Sequence, residues 1–446
     1  MGAPRFRIVS LEFFERDVRL RMPFRFGVVT LTEAPQAFVR ARIRLASGVE
    51  AEGAAAELLA PKWFDKDPAL SNEDNFAQLR ASLRAARDDY LAGGEDTAWR
   101  HFLAHRRTGL VAAYGPAQVD RALLDALCRA LGVSFYDAVR RNALGAGDFE
   151  GMAMPEFLAG LAPAARIAAR HTVGLVDPIR RADVAAPRDD GLPETLEEVV
   201  AAYGQRYFKL KVGGDLEADL ERLAAIAAVL DRIDGPYWSS LDGNEQYEDI
   251  DGAAELWRRM KADPRLAKMV EGVLFIEQPV KRQQALARPV RGIDRPVIID
   301  ESDDSLEAFP RARALGYSGV SSKTCKGLYK SLINRARCAL WGPQYLMSGE
   351  DLTLQAGLAL QQDLALVSLL GLTHVERNGH HYVNGMSGLP RAEQQAFLAA
   401  HPDLYEERCG VVRVRLREGM LDIASLGCPG YASAAMPDWD SMRRMA

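Results

Sequence analysis

The stretch "YFKLKVGG", residues 207–214, sets Lys209 and Lys211 two positions apart in an otherwise apolar run. On a β-strand, residues i and i+2 point to the same side, so two ammonium groups share one face. A strand this apolar belongs in an interior, where lysine is disfavoured unless opposite charge lies close by. The glycine pair ends the strand, and "LEADLERLAAIAAVLDRI" then repeats its apolar residues at helical spacing. "VGGDLEADL" reads as a turn followed by a helix cap on Asp215 rather than as a phosphate loop, because that carboxylate would repel phosphate.

Outward from this unit the same rhythm continues. Short apolar strands are expected at "HTVGLV", "YFKLKV", "YWSSLDGN", "VLFIEQP", "PVIIDES", "YSGVSSK", "QYLMSGE" and "LTHVERN", with amphipathic helices such as "AAELWRRMKADPRLAKMV" between them. Seven or eight strand–helix alternations over about 235 residues suit a closed parallel barrel. An open doubly wound sheet is the competing layout. It is disfavoured because polar residues fall at the carboxyl ends of so many successive strands, and in a barrel those ends converge on one mouth.

Three of those polar residues are acids on consecutive strands: Asp242 in "SSLDGN", Glu277 in "FIEQP" and Asp300 in "VIIDES", spaced 35 and then 23 residues apart. Three carboxylates in one small site repel and stay partly protonated unless a cation neutralises them. Oxygen-only ligands suit a hard ion such as Mg²⁺, with Mn²⁺ as an alternative. Asp300 is preferred to its neighbour Glu301 as a ligand, because adjacent strand residues face opposite sides. The next strand brings Lys323, a further 23 residues on, in "SSKTCKG". Lysines therefore flank the acid row. A lysine acts as a base near neutral pH when desolvation or neighbouring positive charge depresses its pKa, and Lys209 beside Lys211 supplies such a neighbour.

The ordered series "KLK … LDGN … IEQP … IIDES … SSKTCKG" resembles the enolase superfamily, in its muconate lactonizing enzyme subgroup, which includes mandelate racemase-like proteins. The resemblance runs over nearly the whole chain. It implies a modified (β/α)7β TIM barrel with an α+β enolase-type amino-terminal capping domain. It also implies Mg²⁺ on Asp242, Glu277 and Asp300, with Lys211 and Lys323 as acid/base groups on opposite faces of the substrate. Lys209 would tune Lys211, and Asn244, Gln278 and Glu301 would support the ligands from behind. The implied chemistry is removal of the proton α to a substrate carboxylate through an enediolate, ending in racemisation or epimerisation, cycloisomerisation or dehydration. The implied partners are a small-molecule carboxylate and further copies of the chain in a homo-oligomer.

Two departures narrow this. Mandelate racemase-type members place a histidine base after strand seven, where this chain has "LMSGEDLTL" with Glu350 and Asp351. Dipeptide epimerases hold the substrate ammonium with Asp-x-Asp at strand eight, where this chain has "THVERNGHHY". Glu350, Glu376 and His380 are therefore candidates for contacting the distal part of a substrate. From the cap, "RMPFRFG" resembles the family's covering loop and offers Phe24, Arg25 and Phe26. The stretch around residues 61–105 looks like an enlargement of the cap. Cys325 and Lys326 fall beside Lys323, the lysine as reasonably a solvated helix start as a site residue.

The chain has 446 residues, more than one compact core accommodates. Residues 1–150 are read as the cap, strands first and helices after; 151–405 as the barrel; and 406–446 as a segment returning to the cap. A formal charge of -5 gives no electrostatic reason to expect nucleic acid or a membrane surface as partner. Five cysteines without a C-x-x-C pair indicate neither a disulfide framework nor a zinc site. No apolar run is long enough to cross a bilayer and the first residues lack a signal-peptide core, so a cytoplasmic location is expected. Two other readings are weighed: a sugar-phosphate aldolase or isomerase barrel, which would need glycine-rich anion loops after strands seven and eight, and a non-catalytic structural or binding protein on the same fold.

Overall fold

The computed structural model describes residues 2–27, 29–188 and 190–445. The alternating pattern at the start of the chain folds as an antiparallel sheet of β1 (Phe6–Phe26), β2 (Val29–Leu45) and β3 (Glu50–Leu58), neighbours in chain order. In β2 the period is plain: Val39, Ala41 and Ile43 are buried, while Arg42 and Arg44 between and after them face solvent. Helix α1 (Asn72–Ala92) starts on a capping box of Ser71 and Asp74. After α2 (Ala98–His105), α3 (Leu110–Leu131) lies across the inner face of the sheet. Its approach is so close that a Cβ on Gly53 of β3 would sit 2.2 Å from the backbone nitrogen of Ala126.

The barrel strands are β4 (Arg166–Val173), β5 (Tyr207–Lys211), β6 (Trp238–Asp242), β7 (Val273–Glu277), β8 (Val297–Ile299), β9 (Gly319–Ser322), β10 (Leu346–Gly349) and β11 (His374–Arg377). Each pairs in parallel with the next, and β11 returns to pair with β4 from His374↔Ala168 to Arg377↔His171. That last pairing closes the barrel and removes the open-sheet alternative. Helices connect the strands, the longest being Leu216–Leu230, Ile250–Ala262, Leu328–Trp341 and Leu358–Leu369. Asp215 caps the first of these by accepting from Ala218 N, and the amides of Gly213 and Gly214 are both taken by the Asp219 carboxylate. No anion nest is left at that turn.

Beyond the barrel, β12 (Tyr405–Arg408) and β13 (Val411–Val414) form a hairpin, β14 (Met420–Asp422) pairs antiparallel with the start of β4, and β15 (Arg443–Arg444) pairs with Phe14 and Glu15 of β1. Among the described residues no helix is long and apolar enough to cross a membrane.

Candidate active site

Strand register builds the site. Lys211 is level with Asp242, and Asp242 with Glu277, across β5, β6 and β7, while Asp300 follows directly on β8. Because all point inward at the same end, their charged ends crowd together although the residues are far apart in sequence. Asp242, Glu277 and Asp300 are wholly buried.

Lys209, one step deeper than Lys211, is the hub. Its Nζ lies 2.9 Å from Asp242 Oδ2, 2.8 Å from Glu277 Oε2, 2.6 Å from Glu350 Oε2 and 3.1 Å from Glu376 Oε2. Burial alone would lower its pKa, but these four carboxylates outweigh burial and raise it well above the ordinary lysine value. Lys211 donates to Asp242 Oδ2 at 2.5 Å and to Asn244 Oδ1 at 2.7 Å. On the far side Lys323 donates to Asp300 Oδ2, and its ammonium stands 4.4 Å from the centre of the Trp63 ring from the cap. Lys326 is buried, not solvated: its Nζ donates to Ser321 Oγ at 2.8 Å and pairs with Asp303 at 3.0 Å. Cys325 is buried beside it, its thiol pushed up by burial.

The supporting residues hold the acids by specific bonds. Asn244 donates to Glu301 Oε1 at 3.2 Å while accepting from Lys211. Gln278 Oε1 accepts from the amides of Asp300 and Ser302 at 2.9 and 3.1 Å, fixing the chain at the end of β8. Asn244, Glu245 and Gln278 have φ of 39°, 69° and 32°, a left-handed conformation costing non-glycine residues about 1 kcal/mol or more each. Such strain, gathered at the ends of β6 and β7, is common at functional sites.

A small cavity of about 20 Å³ lies over these groups, lined by Lys209, Lys211, Lys323 and Glu376 from the barrel and by Phe24, Phe26 and Trp63 from the cap. Phe24 stacks on Tyr382, with ring centres 4.2 Å apart. Arg25, between the two phenylalanines on β1, faces solvent instead, as strand alternation requires. Glu376 lines the cavity, accepting from Thr172 Oγ1 at 2.7 Å; Lys209 and Lys211 offset its burial and hold its carboxyl well below the usual range. Glu350 sits below the cavity, on Lys209 and Arg170. His380 is not brought to the mouth. The short helix Gly379–Tyr382 carries it outside the barrel wall, where its ring packs near His171 and Tyr203 and burial pushes its pKa far down. Neither Arg25 nor His380 is placed to meet a substrate at the mouth.

Glu277 is the exception among the acids. Its Oε1 is buried without a partner and its Oε2 meets only the Lys209 ammonium, at 2.8 Å, while burial together with the charges of Asp242 and Glu350 pushes its pKa well above the ordinary value. A buried carboxylate with one oxygen unpartnered is suited to a cation. Among the described residues no three acidic, histidine or cysteine side chains converge on one point, because the Lys209 ammonium stands between Asp242 and Glu277. The donor set, three carboxylates on adjacent strand ends, matches a hard divalent ion in kind.

Lys66, Trp63, Arg170 and Asn378 were not singled out from the sequence. Arg170 was open to inference, since it shares the inward phase of β4 with Thr172; Lys66 and Trp63 lie in an irregular loop, where no periodicity speaks.

Residues 191–399 match the family described as enolase C-terminal domain-like. Compared by sequence with curated proteins, the chain has no match. In fold it is similar to the L-Ala-D/L-Glu epimerase from Bacillus subtilis, solved as a substrate-liganded complex, at 16% identity over 96% of this chain and 99% of that one, with a TM-score of 0.63. It is similar also to muconate lactonizing enzyme from Pseudomonas fluorescens complexed with muconolactone, at 19% identity over 99% and 98% of the two chains, TM-score 0.63. A third is the dipeptide epimerase from Enterococcus faecalis V583 complexed with Mg and the dipeptide L-Leu-L-Tyr, at 14% identity over 96% and 99%, TM-score 0.62. The sequence resemblance to the enolase C-terminal domain-like family thus spans residues 191–399, and the likeness in fold spans nearly the whole chain.

Proposed function

We propose, from a barrel that matches the enolase C-terminal family and a mouth with amines on both flanks of an acid row, that this protein is a Mg²⁺-dependent lyase or isomerase acting on a carboxylic acid. It removes the proton α to the carboxylate through an enediolate, with racemisation or epimerisation, cycloisomerisation or dehydration as the outcome. The observation carrying this reading is that Lys211, bonded to Asp242, and Lys323, bonded to Asp300, line the same cavity. Residues 1–150 serve as the cap, 151–405 as the barrel and 406–446 as the returning segment.

Asp242, Glu277 and Asp300 would hold Mg²⁺, which supplies positive charge against the negative charge growing on substrate carboxylate oxygens. The Mg in the Enterococcus faecalis relative supports that assignment. The chain's own groups do the rest. Lys211 or Lys323 takes the α-proton, and the amine opposite returns a proton to the other face or leaves elimination to finish the reaction. Lys209, shared among four carboxylates, fixes charge beneath them. Phe24, Phe26 and Trp63 exclude water, which strengthens each electrostatic contact inside. At the strand-eight position Arg377 turns away to Asp351 and Asp363, so the cavity presents Glu376 and Asn378 to a substrate.

The test is solvent deuterium exchange at the α-carbon of a panel of carboxylic acids, with and without Mg²⁺. Exchange that needs the ion and is lost in Lys211→Ala and Lys323→Ala supports the reading. Tight binding of acids with no exchange across the panel would favour a non-catalytic binding protein.

A further inference from the structure

The catalytic cavity is too small for a substrate: at about 20 Å³ it has room for about one water molecule. Beside it, between cap and barrel, runs a cleft of about 1200 Å³. One wall is apolar and comes from the cap, with Ala81 and Ala85 on α1 and Leu110 on α3. The other is polar and comes from the loops after β6, β7 and β8, with Glu245, Arg282 and Glu301.

Residues adjacent in the chain line the two spaces and make the partition between them. Trp63 lines the cavity and Phe64 the cleft; Asn244 lines the cavity and Glu245 the cleft. Arg282 clamps the partition, donating to the carbonyls of Trp63 and Phe64 at 2.8 and 2.9 Å and to the Glu245 carboxylate at 2.8 Å. Lys66 bolts it, with its Nζ 2.7 Å from Asn244 O, 2.6 Å from Glu245 Oε2 and 3.3 Å from Glu301 Oε1. The Lys66 side chain is still partly exposed, at 18%, so a ligand can compete for its partners.

Two pairs of charges lining the cleft are matched, Arg107 with Asp89 and Lys281 with Glu248. Glu301 is different. It is wholly buried, it lines the cleft, and its Oε2 has no hydrogen-bond partner. An acceptor left so is costly unless a donor arrives.

We propose that this cleft is the distal subsite of the substrate and that Lys66 is the gate between it and the catalytic cavity. The inference rests on the barrel mouth being the carboxylate site, and it names the substrate class: a carboxylic acid with an extended apolar chain and an amine or amide N–H near its reacting end. That N–H donates to the unpartnered Oε2 of Glu301, and the chain lies along the alanine face of α1.

Titration calorimetry with butanoate, octanoate and dodecanoate in the presence of Mg²⁺ tests this. Affinity of the intact protein should rise about threefold per methylene once the chain passes the partition. Ala85→Trp, a substitution of an exposed helix residue outside the catalytic machinery, should weaken dodecanoate about tenfold or more and leave butanoate unchanged. Ala85→Ser should keep the slope. Lys66→Met, with no ion pairs to break on opening, should bind dodecanoate more tightly than the unsubstituted protein does. Glu301→Gln should weaken 2-aminododecanoate but not dodecanoate. A flat chain-length series, or a slope indifferent to Ala85→Trp, overturns the proposal. So does a change of oligomeric state in Ala85→Trp on size-exclusion chromatography, which would assign the cleft to a second copy of the chain. A chain-length slope that survives while no acid undergoes α-proton exchange would support the cleft and count against the chemistry proposed for the mouth, so the two readings fail separately.

Discussion

At the barrel mouth Lys209 is shared by four carboxylates, whereas inside the cap Asp120 on α3 faces a single tyrosine, accepting from Tyr90 OH at 2.8 Å. Both places are buried, yet they treat acids in opposite ways. Burial pushes Asp120 up to about 8 with only that hydrogen bond opposing, and pushes Glu57 up to about 7 against the pull of Arg121. At the mouth, burial acts on Asp242 and Asp300 just as strongly, but the lysines outweigh it and hold both carboxyls low. An acid in the cap is tolerated by staying neutral or by one fixed partner. An acid at the mouth is kept charged among amines, an arrangement that serves chemistry more than stability. Glu277 is the exception at the mouth, its carboxyl pushed up by burial and by Asp242 and Glu350, with its Oε1 left without a donor.

The largest effect that would break this contrast is on catalysis. Lys211→Ala and Lys323→Ala should each reduce α-proton exchange about 10³-fold or more while the fold persists, read by exchange rates beside circular dichroism. Equal activity in either variant would make the mouth an ordinary buried ion-pair network. Next comes the cap. Arg121 is wholly buried and bonds Glu57, Gln118 and the carbonyl of Ala56, so Arg121→Met strands Glu57 and should cost about 3 kcal/mol in urea unfolding. Third, Mg²⁺ at a hundred times its dissociation constant should stabilise the intact protein by about 2.7 kcal/mol, and Glu277→Gln should lose most of that gain in a thermal melt. A melt in which the variant gains as much would remove Glu277 from the ion's neighbourhood.

The smallest effect is the pH dependence of Asp120. Its folded pKa, about 8, lies above the ordinary aspartate value of 3.8, so the folded state keeps a proton that the unfolded chain has lost between those values. Stability therefore falls as pH rises through that window. Asp120→Asn should flatten the fall and be the more stable protein near pH 8, by about 1 kcal/mol or more, in urea titrations at about pH 5 and pH 8. A variant with the same pH profile as the parent would show that Asp120 ionises in place.

How much of this was legible in sequence differs between the elements. The eight barrel strands and the row of acids at their ends were readable, because strand period and strand-end polarity are local and repeat along the chain. In the cap the order was readable, strands first and helices after, as β1–β3 and then α1–α3. His380 misled because a residue shortly after a strand looks available to the mouth, while the backbone turn at Gly379–Tyr382 decides its direction. Arg25 misled because its loop resemblance drew attention away from its alternation with Phe24 and Phe26. Lys326 was read as a candidate for solvent, and only Asp303 and Ser321, folded over it, bury it.

The order of charge along the chain, amines then three acids then an amine, belongs to the sequence, since each sits at the end of an apolar run that can only be a strand. Which charge meets which was settled by closure of the barrel and by the cap laid across it. Lys209 reaches Glu350 and Glu376 because β10 and β11 come round to face β5 across the closed barrel, and Lys66 seals the mouth from a loop whose own residues carry no periodic signal. Contacts between positions so distant depend on the path of the whole backbone, and local pattern does not encode them.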